Sequence, residues 1–151
     1  KKSVERGVPY VGQLERSAGA IAESRAPAYA GLDWTVCYQS RVGPLDWVGP
    51  STEDELRRAG AEGLAVVVVP IAFVSEHSET LVELDIDYRD MAHELKVPAY
   101  KRVPALGCQE DFIDGLGRLV ETARRRDRGT VSAEGGRQCP IGHAGCPLGA
   151  F

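Results

Sequence analysis

Residues 64–71, LAVVVVPI, form a run of eight residues without a polar side chain. A strand with one face in water alternates apolar and polar side chains, whereas a strand covered on both faces of a parallel sheet reads as a continuous β-branched run. The run therefore predicts a strand buried on both faces. Directly after it, the stretch SEHSETLVELDID at 75–87 places one histidine among several carboxylates. Several acidic side chains therefore come soon after a strand that we expect in the core.

Helix and strand patterns alternate along the rest of the chain. Apolar periodicity predicts three long helices, at 10–26, 78–95 and 110–126. Short apolar runs predict two more strands, at 32–40 and 98–106. This order predicts an α/β fold, a three-layer αβα sandwich with a parallel sheet, of the Rossmann-like type.

Two local signals set boundaries within this pattern. Thr52, followed three residues later by Glu55, forms a capping-box pattern that predicts the start of a short helix ending near Arg58. After the last predicted helix the chain turns polar and glycine-rich before two cysteines. We therefore expect a lobe over 1–126 and a C-terminal extension over 127–151.

Chain length and net charge limit the number of domains and the kinds of partner that the sequence is compatible with. The 151 residues suffice for one domain with a core, and the net charge of −4 disfavours a nucleic-acid partner. The basic run RRRDR at 124–128 fits a solvated helix end, with contact to an anionic membrane surface as the alternative. The sequence has no apolar stretch near the roughly 20 residues of a membrane span. We expect a cytoplasmic chain, with peripheral contact at the inner membrane as the alternative.

The acidic stretch resolves into two faces on an α-helical wheel, taken at about 100° per residue. The apolar face is predicted to hold Leu81, Leu84, Tyr88, Met91 and Leu95. A second face carries Glu79, Glu83 and Asp87, which we call the carboxylate row. Like charges spaced four apart repel one another by a few tenths of a kcal/mol per pair.

Two interpretations account for the carboxylate row. A solvated helix face tolerates such repulsion, aided by the helix dipole at its N-terminal end. Alternatively, the row is a path for cations or protons that starts at His77. Ligands of open parallel sheets bind where strands lead into helices, and His77 follows the predicted strand 64–71 at such a place. Imidazole binds protons or metals near neutral pH, and carboxylates suit hydrated divalent cations.

Two long segments resemble one enzyme family. YQSRVGPLDWVGPSTEDEL at 38–56 and VPIAFVSEHSETLVELDIDYRDMA at 69–92 are similar to segments of ferrochelatase, which inserts ferrous iron into protoporphyrin IX to form protohaem, the last step of haem biosynthesis. The resemblance covers the C-terminal lobe of a two-lobed enzyme. It implies that Fe²⁺ and a porphyrin are the substrates and that the partner is a missing N-terminal lobe, which carries a further histidine.

The resemblance also implies roles for individual residues. His77 and Glu79 become the central pair of metal and proton chemistry. The metal-binding set comprises His77, Glu79, Glu76, Glu83 and Asp87. The porphyrin-binding set comprises Trp47, with Gln39, Ser40 and Arg41 at the polar rim. Helices of the family contain a widened π-type turn, which aligns acids four residues apart more closely than an α-helix does.

The cysteines leave several alternatives open. Cys37 lies in an apolar run and fits an inert core residue. Some ferrochelatases bind a [2Fe–2S] cluster through cysteines of a C-terminal extension, which would assign Cys139 and Cys146 as ligands. A cluster needs four ligands, and a structural zinc ion or two idle thiols are the alternatives.

Two rival functions come from other classes. The chain could be a non-catalytic α/β domain that binds a tetrapyrrole or a metal. It could also resemble a cobalt-type chelatase, whose half-length chains act as homodimers; symmetry permits such a homodimer here. The extended segments around Arg41 and His77 favour iron insertion.

Overall fold

The computed structural model describes most of the chain between Lys2 and Arg126. The described residues are 2–5, 7–25, 27–39, 44, 46–126, 136–137 and 142. They form two compact units: residues 17–107, and residues 1–16 together with 108–151. No helix in these ranges is both long and apolar enough to cross a membrane.

Helices and two strands alternate along the chain. The helices are α1 (Lys2–Glu5), α2 (Tyr10–Arg25), α3 (Thr52–Glu62), a π-helix (Glu79–Asp87), α4 (Tyr88–Glu94) and α5 (Glu110–Arg124). The strands are β1 (Val66–Val68) and β2 (Tyr100–Arg102), which pair in parallel. Because the π-helix and α4 connect them, the unit 17–107 contains a βαβ arrangement. The predicted α/β class with a parallel sheet is confirmed.

The strands are shorter than predicted, and prolines explain three of their ends. Pro70 lacks the amide that a ladder requires, and the chain turns there, with the Ile71 amide donating to Val69 O. Pro98 and Pro104 flank β2 in the same way. The prediction that 64–71 is buried on both faces was wrong, since Val67 is 66% exposed. Its register partner on β2, Lys101, is exposed on the same side.

The predicted strand 32–40 is reduced to one parallel bridge between Tyr38 and Ser51. Tyr38 N donates to Pro50 O at 3.0 Å, and Thr52 N donates to Tyr38 O at 3.2 Å. The segment opposite Tyr38 then enters α3, so the pairing ends after a single residue.

The cap of α3 lies one residue before the predicted position. Ser51 has an extended backbone, its Oγ accepts from Asp54 N, and its own amide donates to Asp54. The Thr52 hydroxyl instead lies 3.6 Å from Cys37 Sγ. The helix also continues to Glu62, beyond the predicted end at Arg58, and stops at Gly63 in the left-handed conformation.

The best-buried side chains of unit 17–107 lie on α3, the π-helix and α4, and α3 packs against α4. They are Leu56, Ala59, Thr80, Leu84 and Ala92, together with Ser51 at the cap of α3. The predicted apolar face was wrong at Leu81, which is 48% exposed, whereas Thr80 is fully buried. Hydrogen bonds between residues five apart change the angle per residue, so an α-helical wheel misplaces positions at the start of this helix.

Helix α5 has its predicted extent but buries none of its side chains. Four of its apolar residues, Ile113, Leu116, Leu119 and Val120, are each more than two fifths exposed, whereas Phe112 is half-buried. Their three- and four-residue spacing places them on one side of the helix.

Candidate active site

His77 lies in the loop that connects β1 to the π-helix. Its amide donates to the hydroxyl of the buried Thr80 at 3.0 Å. Its Nδ1 accepts from the Glu79 amide at 3.2 Å, which assigns the hydrogen of a neutral ring to Nε2. The ring meets Phe73 edge-on, with centroids 4.4 Å apart. Backbone and ring contacts together orient this imidazole at the start of the helix.

The π-helix carries the carboxylate row. Its hydrogen bonds join residues five apart, as the Tyr88 amide does by donating to Glu83 O. Glu79 and Glu83 are half-buried, and Asp87 is exposed. The row therefore leads from a partly enclosed end beside His77 to solvent. The π-type widening that the resemblance implied extends over nine residues here.

Gln39 joins the loop after the Tyr38 bridge to the carboxylate row. Its Nε2 donates to Glu83 Oε2 at 3.1 Å and to the Glu79 carbonyl at 3.0 Å. The Gln39 side-chain amide thus contacts two successive turns of the π-helix. The resemblance placed this residue at the porphyrin rim.

Glu76 forms an internal ion pair. Its Oε1 accepts from Arg102 Nη1 at 2.9 Å and from the Ala105 amide at 2.8 Å. Hydrogen bonds from Thr80, the Ala105 amide and Arg102 lower the pKa of Glu76 to about 2. These contacts favour an anchoring role for Glu76, and its role as a metal ligand stays a prediction.

Arg102 also holds the middle of the π-helix. Its Nε and Nη2 donate to the two oxygens of Asp85 at 2.7 and 2.6 Å, and its side chain is only 9% exposed. This bidentate contact lowers the pKa of Asp85. The sequence interpretation missed both residues. Arg102 lies on a short strand far along the chain from the acidic stretch, and only the parallel pairing brings it there.

Trp47, another predicted site residue, is not brought into this cluster. Trp47 is 41% exposed, and within the described ranges no hydrogen bond or ring contact joins it to the π-helix. Ser40 and Arg41 lie outside the described residues. Among the residues that the structure describes, no three histidine, cysteine or acidic side chains converge as a metal site.

Two cysteines, Cys37 and Cys108, lie within the described residues. Burial raises the pKa of Cys37, which disfavours the thiolate that a cluster needs, and Cys108 is exposed. Cys139 and Cys146 lie outside the described residues.

Comparison with known proteins identifies the family. A family model described as Ferrochelatase matches residues 1–124. The chain belongs to the ferrochelatase family. It is 50% identical over 147 residues to the ferrochelatase of Caulobacter vibrioides, and 50% identical over the same length to that of Phenylobacterium zucineum. It is 44% identical to the ferrochelatase of Pelagibacter ubique.

These matches cover 97% of this chain but only 41% to 42% of each relative. The chain therefore spans about two fifths of the length of the ferrochelatases that it matches. The site described above lies within the matched region.

Proposed function

We propose that this chain is the C-terminal lobe of a ferrochelatase that inserts ferrous iron into protoporphyrin IX to form protohaem. The observation that carries this proposal is the π-helix, which begins at Glu79, two residues after His77, and places Glu79 and Glu83 beside Gln39. The family membership and the partial coverage of the relatives support it. The full-length protein is then this chain together with an upstream lobe.

The chemistry of the reaction accounts for the residue types. Metal insertion requires the removal of two pyrrole protons and the dehydration of a divalent cation. In the proposal, His77 and Glu79 carry out this proton and metal chemistry at the partly enclosed end of the carboxylate row. Glu83 and Asp87 connect that end with solvent, as a path for protons or for iron. Carboxylates are suitable ligands for a hydrated divalent ion along such a path.

Porphyrin contacts are assigned to the loop after Tyr38. Trp47 offers an exposed indole for stacking on a macrocycle. Gln39, Ser40 and Arg41 form the proposed polar rim near the propionates.

An upstream lobe also accounts for the apolar surface of this chain. The apolar side of α5 and the outer face of β1 at Val67 are exposed here. Such surfaces usually mark contacts with another part of a protein. We assign them to contacts within the full-length protein.

The further proposals concern assembly and location. We place the protein in the cytoplasm, with peripheral contact at the inner membrane as the alternative, and symmetry permits a homodimer. Cys139 and Cys146 are proposed ligands of a [2Fe–2S] cluster. Visible absorption with stoichiometric iron and sulfide in anaerobically purified full-length protein supports the cluster, and a colourless protein contradicts it.

Glu79→Gln in the full-length protein tests the catalytic assignment. We expect this variant to lose turnover of iron insertion far more than porphyrin affinity, because the carboxylate acts on the reacting groups. Glu94→Gln, an exposed position on α4 outside the row, is the matched control. Equal losses of turnover and affinity for Glu79→Gln contradict a catalytic role.

A further inference from the structure

Two side chains of β2 contact the π-helix at adjacent residues. Tyr100 and Arg102 are two residues apart, so they share one face of the strand. The Tyr100 hydroxyl donates to the Leu84 carbonyl at 2.8 Å. Arg102 holds Asp85, the next residue, by the bidentate pair described above. One short strand thus fixes the backbone and the side chain of consecutive positions on the helix.

Whether the Leu84 carbonyl accepts from the Tyr88 amide distinguishes an α-helical from a π-helical hydrogen-bond register at this position. In an α-helix the Tyr88 amide would donate to Leu84 O, four residues earlier. Here that amide donates to Glu83 O instead, five residues earlier. The Tyr100 hydroxyl donates to this same carbonyl, so Leu84 O has a partner in the π register without the Tyr88 amide. Burial raises the pKa of Tyr100 to about 12, so its hydroxyl remains a donor well above neutral pH.

Arg102 also connects the π-helix with the loop residue that precedes His77. Its guanidinium joins Asp85 on the helix to Glu76, the residue immediately before His77. The Arg102 side chain is 9% exposed, whereas those of Glu76 and Asp85 are 34% and 33% exposed. A change of register would move the helix relative to the loop that this guanidinium holds.

We propose that Tyr100 and Arg102 are positioning residues that lock the helix over 79–87 in the π register and thereby align the carboxylate row with His77 and Gln39. The inference rests on the proposed function for its catalytic consequence. The register itself does not depend on that function. The π-helix is rare and occurs mostly as single-turn bulges, so a segment of nine residues requires contacts that hold it in this register.

Tyr100→Phe in the full-length protein tests the lock, because it removes one oxygen and keeps the ring. Arg102→Lys is the second variant, since it keeps the charge but cannot form the bidentate pair. The matched controls are Tyr29→Phe, at a 63% exposed tyrosine, and Arg58→Lys, at an arginine that pairs with three acids on the surface. The readouts are a crystal structure, kcat for iron insertion, and the Kd for porphyrin.

We expect Tyr100→Phe to move the Tyr88 amide from Glu83 O to Leu84 O. We expect kcat to fall by roughly five- to ten-fold, with the porphyrin Kd within about two-fold of wild type. Arg102→Lys should act in the same direction, and both controls should match wild type. If Tyr100→Phe does not fold, Arg102→Lys supplies the same three readouts.

Three results overturn the inference. The first is retention of the bond from the Tyr88 amide to Glu83 O in both variants. The second is a change of register without loss of kcat. The third is a proportional loss of kcat and porphyrin affinity, as expected for a merely structural role. If wild-type full-length protein inserts no iron, the proposed function fails, whereas the crystal structures still decide whether the lock exists.

Discussion

Gln39 donates one hydrogen bond to the Glu83 carboxylate and a second to the Glu79 carbonyl, from a position 40 residues or more away in sequence. The amide thereby connects the loop proposed to hold porphyrin with the row proposed to conduct iron or protons. A change on either side of this contact is transmitted to the other. It is the most direct link between the two proposed substrate regions within the described residues.

Gln39→Leu in the full-length protein removes this link while keeping a side chain of similar size. A hydrogen bond to a charged group contributes about 1.5–3 kcal/mol, so we expect kcat for iron insertion to fall by roughly ten-fold. Steady-state kinetics with ferrous iron measure this change. Gln109→Leu, at the exposed position before α5, is the control and should have wild-type kinetics. A Gln39→Leu enzyme with unchanged kcat contradicts the link.

Gly60 is required where α3 meets the end of α4. A Cβ built at Gly60 would clash with the Leu95 carbonyl oxygen. Gly60→Ala should therefore lower the free energy of unfolding by about 1–3 kcal/mol, despite the higher helix propensity of alanine. Chemical denaturation of the full-length protein measures this loss.

Gly19→Ala on α2 is the matched control for Gly60→Ala. A Cβ at Gly19 meets no atom within 4 Å, so the same substitution should stabilise by about 0.5–1 kcal/mol. Equal effects at the two positions would show that the approach of Leu95 does not limit residue 60.

The Glu76 ion pair predicts acid sensitivity. The usual pKa of 4.5 for glutamate falls to about 2 in the folded protein. In the unfolded chain the carboxyl takes up its proton first, so the stabilisation by Glu76 is complete above pH 4.5 and is lost between about 4.5 and 2. Thermal unfolding of wild type and Glu76→Gln should therefore differ most at pH 6, differ less at pH 3 and converge near pH 2.

Glu121→Gln, which removes an exposed ion pair with Arg124, is the control for this pH series. It should differ little from wild type at either pH, because exposed pairs contribute little stability. A constant difference between wild type and Glu76→Gln from pH 6 to pH 3 is inconsistent with the lowered pKa.

The sequence predicted the positions of the helices better than it predicted their caps. The helices over 10–26 and 110–126 follow from apolar periodicity alone, and both are present almost unchanged. The cap at Ser51 differs from the predicted cap at Thr52, because both spacings of hydroxyl and acid occur there. The extended backbone of Ser51, seen only in the structure, identifies Ser51 rather than Thr52 as the cap.

Burial along the acidic helix could not be predicted in the same way. An α-helical wheel assumes a constant angle per residue, and the π register changes it, which exposes Leu81 and buries Thr80. The register depends on Tyr100 and Arg102, which approach the helix only after the two strands pair. Local sequence carries no signal of a contact that the tertiary fold creates.

The central claim is that His77 and the carboxylate row form one side of an iron-insertion site that an upstream lobe completes. Ferrous iron insertion into protoporphyrin IX, measured in parallel for the isolated 151-residue chain and for the full-length protein, tests it directly. We predict robust insertion by the full-length protein and little or none by the isolated chain. Robust insertion by the isolated chain, or none by the full-length protein, contradicts the claim.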